Sequence, residues 1–110
     1  MEIIIVLCVV LSSYLIGSVS SAVIISKLMS GKDIREEGSG NAGATNMLRV
    51  HGKGAGALTL VCDILKGVIA ILLSMLFNMW LKSAAPDSIF VGNLAYIAGF
   101  FAVLGHDFPV

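Results

Sequence analysis

Residues 3–26, IIIVLCVVLSSYLIGSVSSAVIIS, contain no charged side chain. About 20 apolar residues cross the hydrocarbon core of a bilayer, so a run of this length predicts a spanning helix. A cleaved signal peptide would need a basic start and a small-residue cleavage site. Met1-Glu2 offers no positive charge and the run is too long for one. Its second half holds Gly17, Ser18, Ser20, Ser21 and Ala22, small residues that let a neighbouring helix approach closely. Composition points the same way. Of the 110 residues, 57% are hydrophobic and only 13% charged, and mean hydropathy is +0.97. A water-soluble domain of this size carries far more charge.

Two further apolar stretches are predicted to span, at about 56–80 and about 88–105. Between them NMWLKSAAPD contains Pro86 and reads as an interfacial turn, with Trp80 where an aromatic belt would place it. Lys27, Lys32, Arg35, Arg49 and Lys53 all fall between the first and second stretches, whereas Lys82 stands alone between the second and third. The positive-inside bias then puts the N-terminus outside and the loop over 27–55 in the cytoplasm. Three crossings return the C-terminal GHDFPV to the cytoplasmic face. The expected fold is an all-α integral membrane protein, with three transmembrane helices and one long glycine-rich cytoplasmic loop. The length suits a single membrane domain over residues 1–110, either one compact unit or part of a larger polytopic bundle.

Several function classes drop out. A formal net charge of zero gives no general attraction to nucleic acid, so any electrostatic function is local. Cys8 and Cys62 both sit in apolar runs without metal-ligand spacing and read as small buried hydrophobes. Neither a metal nor another cofactor is expected.

The polar island GSGNAGATNMLRVHGKG, residues 38–54, is the chain's chemical feature. Glycines at 38, 40, 43, 52, 54 and 56 permit positive φ and close backbone approach. Runs of backbone N–H groups in such conformations make anion-binding nests. Arg49 and Lys53 add a fork and a point charge suited to phosphate, with Asn41, Thr45 and Asn46 interleaved. The island reads as a phosphate cradle. Gly38-x-Gly40-x-x-Gly43 followed by Asp63 mimics a dinucleotide fingerprint, but that motif requires a preceding strand, and here a membrane span precedes it. A phosphate-binding loop of the Walker A kind fails as well. Position 47 is Met and Gly54 follows Lys53, where that loop needs Gly and then Ser or Thr.

Asp63 and Lys66 stand three residues apart, so on a helix they share a face. Two readings stand. They form a neutralised structural pair with Lys66 snorkelling to the headgroups, or Lys66, oriented by Asp63, adds to the positive wall of the phosphate site. His51 and His106 also carry two readings, since a lone histidine near an interface is more often a hydrogen-bonded structural residue than a catalyst. His106 has the stronger claim to chemistry because it ends the third predicted span and can face the loop.

GSGNAGATNMLRVHGKGAGALTLVCDILKG resembles the first signature of the bacterial acyl-phosphate:glycerol-3-phosphate acyltransferases, the PlsY type. The matching elements are Gly38 through Asn46, Arg49, Gly52-Lys53, and Asp63 to Gly67. GHDFPV at 105–110 is similar to the opening of that family's second signature, and YLIGSVSSAVIISKL to its first span. Members of the family run to about twice this length, so the chain is expected to be the N-terminal half of such a protein. The resemblance implies transfer of a fatty acyl group from acyl phosphate to the sn-1 hydroxyl of glycerol 3-phosphate, giving lysophosphatidate at the bacterial inner membrane.

On that reading Ser39, Gly40, Asn41, Gly43, Thr45 and Asn46 surround the phosphates and glycerol. Arg49, Lys53 and Lys66 supply positive charge, with Asp63 in support. His106 is a base or a phosphate ligand, and Ser39 as an acylated nucleophile ranks below direct attack because the donor is already activated. The rival class is a membrane anion or phosphate-ester transporter completed by oligomerisation. Broken helices and repeat symmetry would favour it.

Overall fold

The computed structural model describes residues 1–110, and every regular element in it is helical. The elements are α1 (Glu2–Ser18), α2 (Ser21–Ser30), a 3₁₀ turn (Ile34–Glu36), α3 (Ala44–His51), α4 (Lys53–Ala84) and α5 (Leu94–Asp107). They fall into two compact units, one of residues 1–19 with 66–110 and the other of residues 20–65, so α4 begins in the second and ends in the first.

The first predicted span is not one continuous helix. It breaks at Val19–Ser20, where Val19 takes an extended φ/ψ of −64°/115° and Ser20 one of −89°/102°. Serines flank the break. The Ser18 hydroxyl bonds back to the Tyr14 carbonyl at 2.8 Å, while the Ser20 hydroxyl accepts the Val23 N–H at 3.3 Å and restarts the helix as its N-cap. Residues 2–30 taken together, and α4 with its 32 residues, are long and apolar enough to cross a membrane, with mean hydropathies of 2.4 and 2.3. A core helix of a soluble protein would hide such side chains. On α4, Leu60, Ile64, Leu72, Met75, Leu76, Met79 and Trp80 are all exposed, the pattern of a lipid-facing surface.

The third predicted span is shorter than expected. Helix begins only at Leu94 because Asp87 to Asn93 make successive turns, with Gly92 at φ +82° donating its N–H to Asn78 Oδ1 at 2.8 Å. The 14 residues of α5 reach about 21 Å at 1.5 Å per residue, short of the roughly 20 residues a crossing helix needs. The expected loop is not all loop either. Within 27–55 lie the end of α2, the 3₁₀ turn and the whole of α3.

In the unit of residues 1–19 and 66–110, α1 packs on α5 through glycine. A Cβ on Gly17 would stand 2.8 Å from the Ala102 carbonyl carbon, and one on Gly105 would stand 2.9 Å from the Ser18 nitrogen. The two backbones therefore touch, the arrangement small residues permit in membranes. Ile5 and Val9 of α1, Leu94 and Ala98 of α5 and Leu81 of α4 form the buried apolar cluster of this unit. The Tyr14 hydroxyl donates to the Phe108 carbonyl, and the Ser88 hydroxyl to the Glu2 carboxylate.

In the unit of residues 20–65, Ala22, Ile25, Ile34, Met47 and Ala55 form a small core. Gly31, at φ +73°, ends α2. Gly56 lets α4 lie against α3, since a Cβ there would be 2.9 Å from Leu48 Cβ and 3.2 Å from the Ala44 carbonyl oxygen. That core holds α3 and its preceding loop in place.

Candidate functional site

The polar island folds around one side chain. Asn46 sits in the first turn of α3, is 2% exposed, and points into the loop that precedes its own helix. Its Oδ1 accepts the Ser39 N–H at 3.1 Å. Its Nδ2 donates to the carbonyls of Asn41 at 2.8 Å and Glu37 at 3.0 Å, with a longer contact to Ile34 at 3.4 Å. A primary amide has two N–H donors, and these carbonyls occupy both. Asn46 was expected among the phosphate-binding amides; here its side-chain amide is engaged with the loop.

Around this anchor the other residues face outward. Ser39 is exposed, its hydroxyl oxygen accepting the Asn41 N–H at 3.4 Å. Gly38 and Gly40 take φ of +55° and +79°, the left-handed region in which a β-carbon is costly. Gly43 is the N-cap of α3 and leaves the first turn without a side-chain cap. Thr45 and Arg49, four residues apart on α3, share an exposed face. Gly52, at φ +96°, turns the chain into α4, and Lys53 opens that helix, exposed. The salt bridge here belongs to neither Arg49 nor Lys53. It joins Arg35 to Asp33 at 2.6 Å, and the guanidinium hydrogen bond holds the Asp33 carboxyl at about 2, below its ordinary 3.8, while raising Arg35. Ser39, Asn41, Thr45, Arg49 and Lys53 thus lie in one unit on exposed backbone or helix faces.

His51 is held by a serine. The buried Ser26 hydroxyl donates to the Lys32 carbonyl at 2.8 Å, so the His51 Nε2–H at 3.0 Å donates to Ser26 Oγ. This joins the middle of α2 to the end of α3. Nothing in the sequence singled out Ser26; a serine inside an apolar run near a histidine 25 residues on is too sparse a signal.

The second polar cluster is in the other unit. Lys66 Nζ donates to the Val19 carbonyl at 2.8 Å and to His106 Nδ1 at 2.9 Å. Val19 is where α1 ends, so Lys66 satisfies a carbonyl that the helix break releases. An ammonium only donates, so Nδ1 accepts and the ring proton of His106 sits on Nε2. Asp63, one turn earlier on α4, is half-buried and belongs to the unit of residues 20–65. No group of side chains is arranged to hold a metal ion.

A family model described as glycerol-3-phosphate acyltransferase matches residues 7–110. Curated relatives of that name include one from Photobacterium profundum, 44% identical over 105 residues that make up 96% of this chain and 46% of the relative. The relative from Clostridioides difficile (strain 630) is 42% identical over 109 residues, 99% of this chain and 50% of its own length. That from Staphylococcus aureus (strain Newman) is 47% identical over 107 residues, 96% of this chain and 50% of its own length. The chain therefore spans about half the length of the curated relatives it matches. No solved structure matches it.

Proposed function

The chain belongs to the glycerol-3-phosphate acyltransferase family, and we propose that it supplies the phosphate-binding half of an enzyme that acylates the sn-1 hydroxyl of glycerol 3-phosphate from acyl phosphate. The observation that carries this reading is the loop over 38–46, which turns Ser39 outward beside an α3 face bearing Thr45 and Arg49. Both substrates carry phosphate. Arg49 offers a planar fork for phosphate oxygens and Lys53 a mobile point charge. Ser39 and Thr45 offer hydroxyl donors, and Gly40, Asn41 and Gly43 offer backbone and amide groups.

In the reaction the sn-1 oxygen bonds to the acyl carbon, the carbon–oxygen bond to phosphate breaks, and inorganic phosphate leaves with the electron pair. The donor is a mixed anhydride and already activated, so positioning and charge neutralisation are the enzyme's main tasks. With Nδ1 of His106 occupied by Lys66, that nitrogen is not an open base. The hydroxyl proton then passes to a phosphate oxygen of a substrate, and Nε2–H of His106 serves as a donor. Lys66 acts through His106, with Asp63 in support on the same helix. The cation-rich segment 27–55 faces the cytoplasm of a bacterial inner membrane, and the N-terminus lies outside.

The test is acylation of radiolabelled glycerol 3-phosphate by a long-chain acyl phosphate in detergent. The chain is assayed alone and co-expressed with the C-terminal half of the Staphylococcus aureus relative. Lysophosphatidate is the expected product of the co-expressed pair, reduced about 100-fold or more by Arg49→Ala, in line with losses on removing a charge-stabilising donor. Near-normal turnover by Arg49→Ala would sink the phosphate-clamp role.

A further inference from the structure

Asn46 does something that a substrate ligand would not. Its partners span residues 34 to 41, on the far side of a glycine-rich turn from its own helix. The carbonyls of Glu37 and Asn41 bracket Gly38-Ser39-Gly40, and the Ser39 N–H lies between them. One side chain thus pins both edges and the middle of the turn. Gly38 is shaped to match. A Cβ at that position would collide with Asn46 Oδ1 and stand 2.9 Å from Val50 Cγ2.

We propose that Asn46 is a positioning residue that sets the orientation of Ser39, and that it never touches substrate. This rests on the reading of Ser39 as a substrate contact. Turning the buried Asn46 amide toward a phosphate would strip the part-buried carbonyls of Glu37 and Asn41 and the Ser39 N–H of their shared partner, and a polar group left unpaired is costly. Asparagine suits the task because the turn needs an acceptor and donors on one short side chain. Aspartate would present oxygens to carbonyl oxygens, and alanine would satisfy none of the partners.

Amide hydrogen exchange on the ¹⁵N-labelled chain in detergent micelles tests the loop without any substitution. Ser39 is exposed, yet its N–H is expected to exchange about tenfold or more slower than that of Gly38. Equal exchange at the two positions overturns the proposal. Asn46→Ala should erase the difference while the Met47 N–H, bonded to the Gly43 carbonyl at 3.0 Å, stays protected.

The catalytic arm is a double-mutant cycle of Ser39→Ala and Asn46→Ala in the acylation assay. A residue acting only through Ser39 makes the double variant no more than about twofold worse than the poorer single one; losses that multiply overturn the assignment. Absence of acyl transfer from the unsubstituted pair of halves would count against the activity reading alone. The exchange rates would still decide the role of Asn46.

Discussion

Substituting Gly105 by alanine should part α1 from α5. The added Cβ would stand 2.9 Å from the Ser18 nitrogen and 3.1 Å from the Gly17 carbonyl carbon, and closer still to the Tyr14 carbonyl oxygen. Ordinary contact begins at 3.4 Å, so the helices must separate by at least about 0.5 Å, the gap between 2.9 and 3.4 Å. All these atoms are backbone, and no side-chain rotation can relieve them. Overpacking of this kind costs about 1–3 kcal/mol, and the rigidity of the opposing backbone argues for the upper end. Alanine returns about 1 kcal/mol of helix propensity, leaving a net loss of about 2 kcal/mol. Gly99 supplies the control: it lies on the same helix, and nothing stands within 4 Å of a Cβ built there. Gly99→Ala should therefore gain up to about 1 kcal/mol, for a difference of about 3 kcal/mol between the two variants. Unfolding in mixed micelles, followed by far-UV circular dichroism and by the single tryptophan, Trp80, reads both. Gly105→Ala should also lengthen the 2.9 Å Lys66–His106 contact, because His106 is the next residue along the helix. Equal stability of the two alanine variants would refute the claim that α1 and α5 meet backbone to backbone.

Lys66→Met keeps the side chain's length but removes its donors, leaving the Val19 carbonyl and His106 Nδ1 without them. The expected cost is about 1–3 kcal/mol in the same unfolding assay. Ser26→Ala should cost about 1–2 kcal/mol and release the His51 ring from its Nε2–H tautomer, which ¹⁵N shifts of the ring nitrogens will show. The Asp33 carboxyl should titrate at about 2 and move back toward 3.8 in Arg35→Ala, as read by carboxyl ¹³C shifts. Because the folded value is the lower one, whatever the pair contributes to stability is present above about 3.8. It is lost as pH falls through about 2.

Much of the chain was legible before any coordinates. The apolar runs over 3–26 and 56–80 announced helices because about twenty consecutive apolar residues have few other solutions. Of the six island glycines read as free to take positive φ, Gly38, Gly40 and Gly52 do so, whereas Gly43 is extended and Gly54 and Gly56 are helical. Other features were hidden. The break at Val19–Ser20 is flanked by serine hydroxyls bonded to backbone groups, and many serines in apolar helices mark no break. The third helix fell short of its apolar run because hydropathy does not distinguish turn from helix over residues 88–93.

The sequence alone determined the class of the molecule, its long apolar helices, and the location of the glycine- and cation-rich segment. These follow from composition and from the order of residues, which no folding can change. What each polar residue does was decided only by tertiary structure. Asn41 and Asn46 look alike in GSGNAGATN, yet one is exposed and the other is 2% exposed and fully engaged. His51 and His106 take different partners, the first held by Ser26 and the second by Lys66. A hydrogen bond needs two groups within about 3 Å and correctly aimed. Partners 25 and 40 residues away along the chain are brought within that range by packing alone.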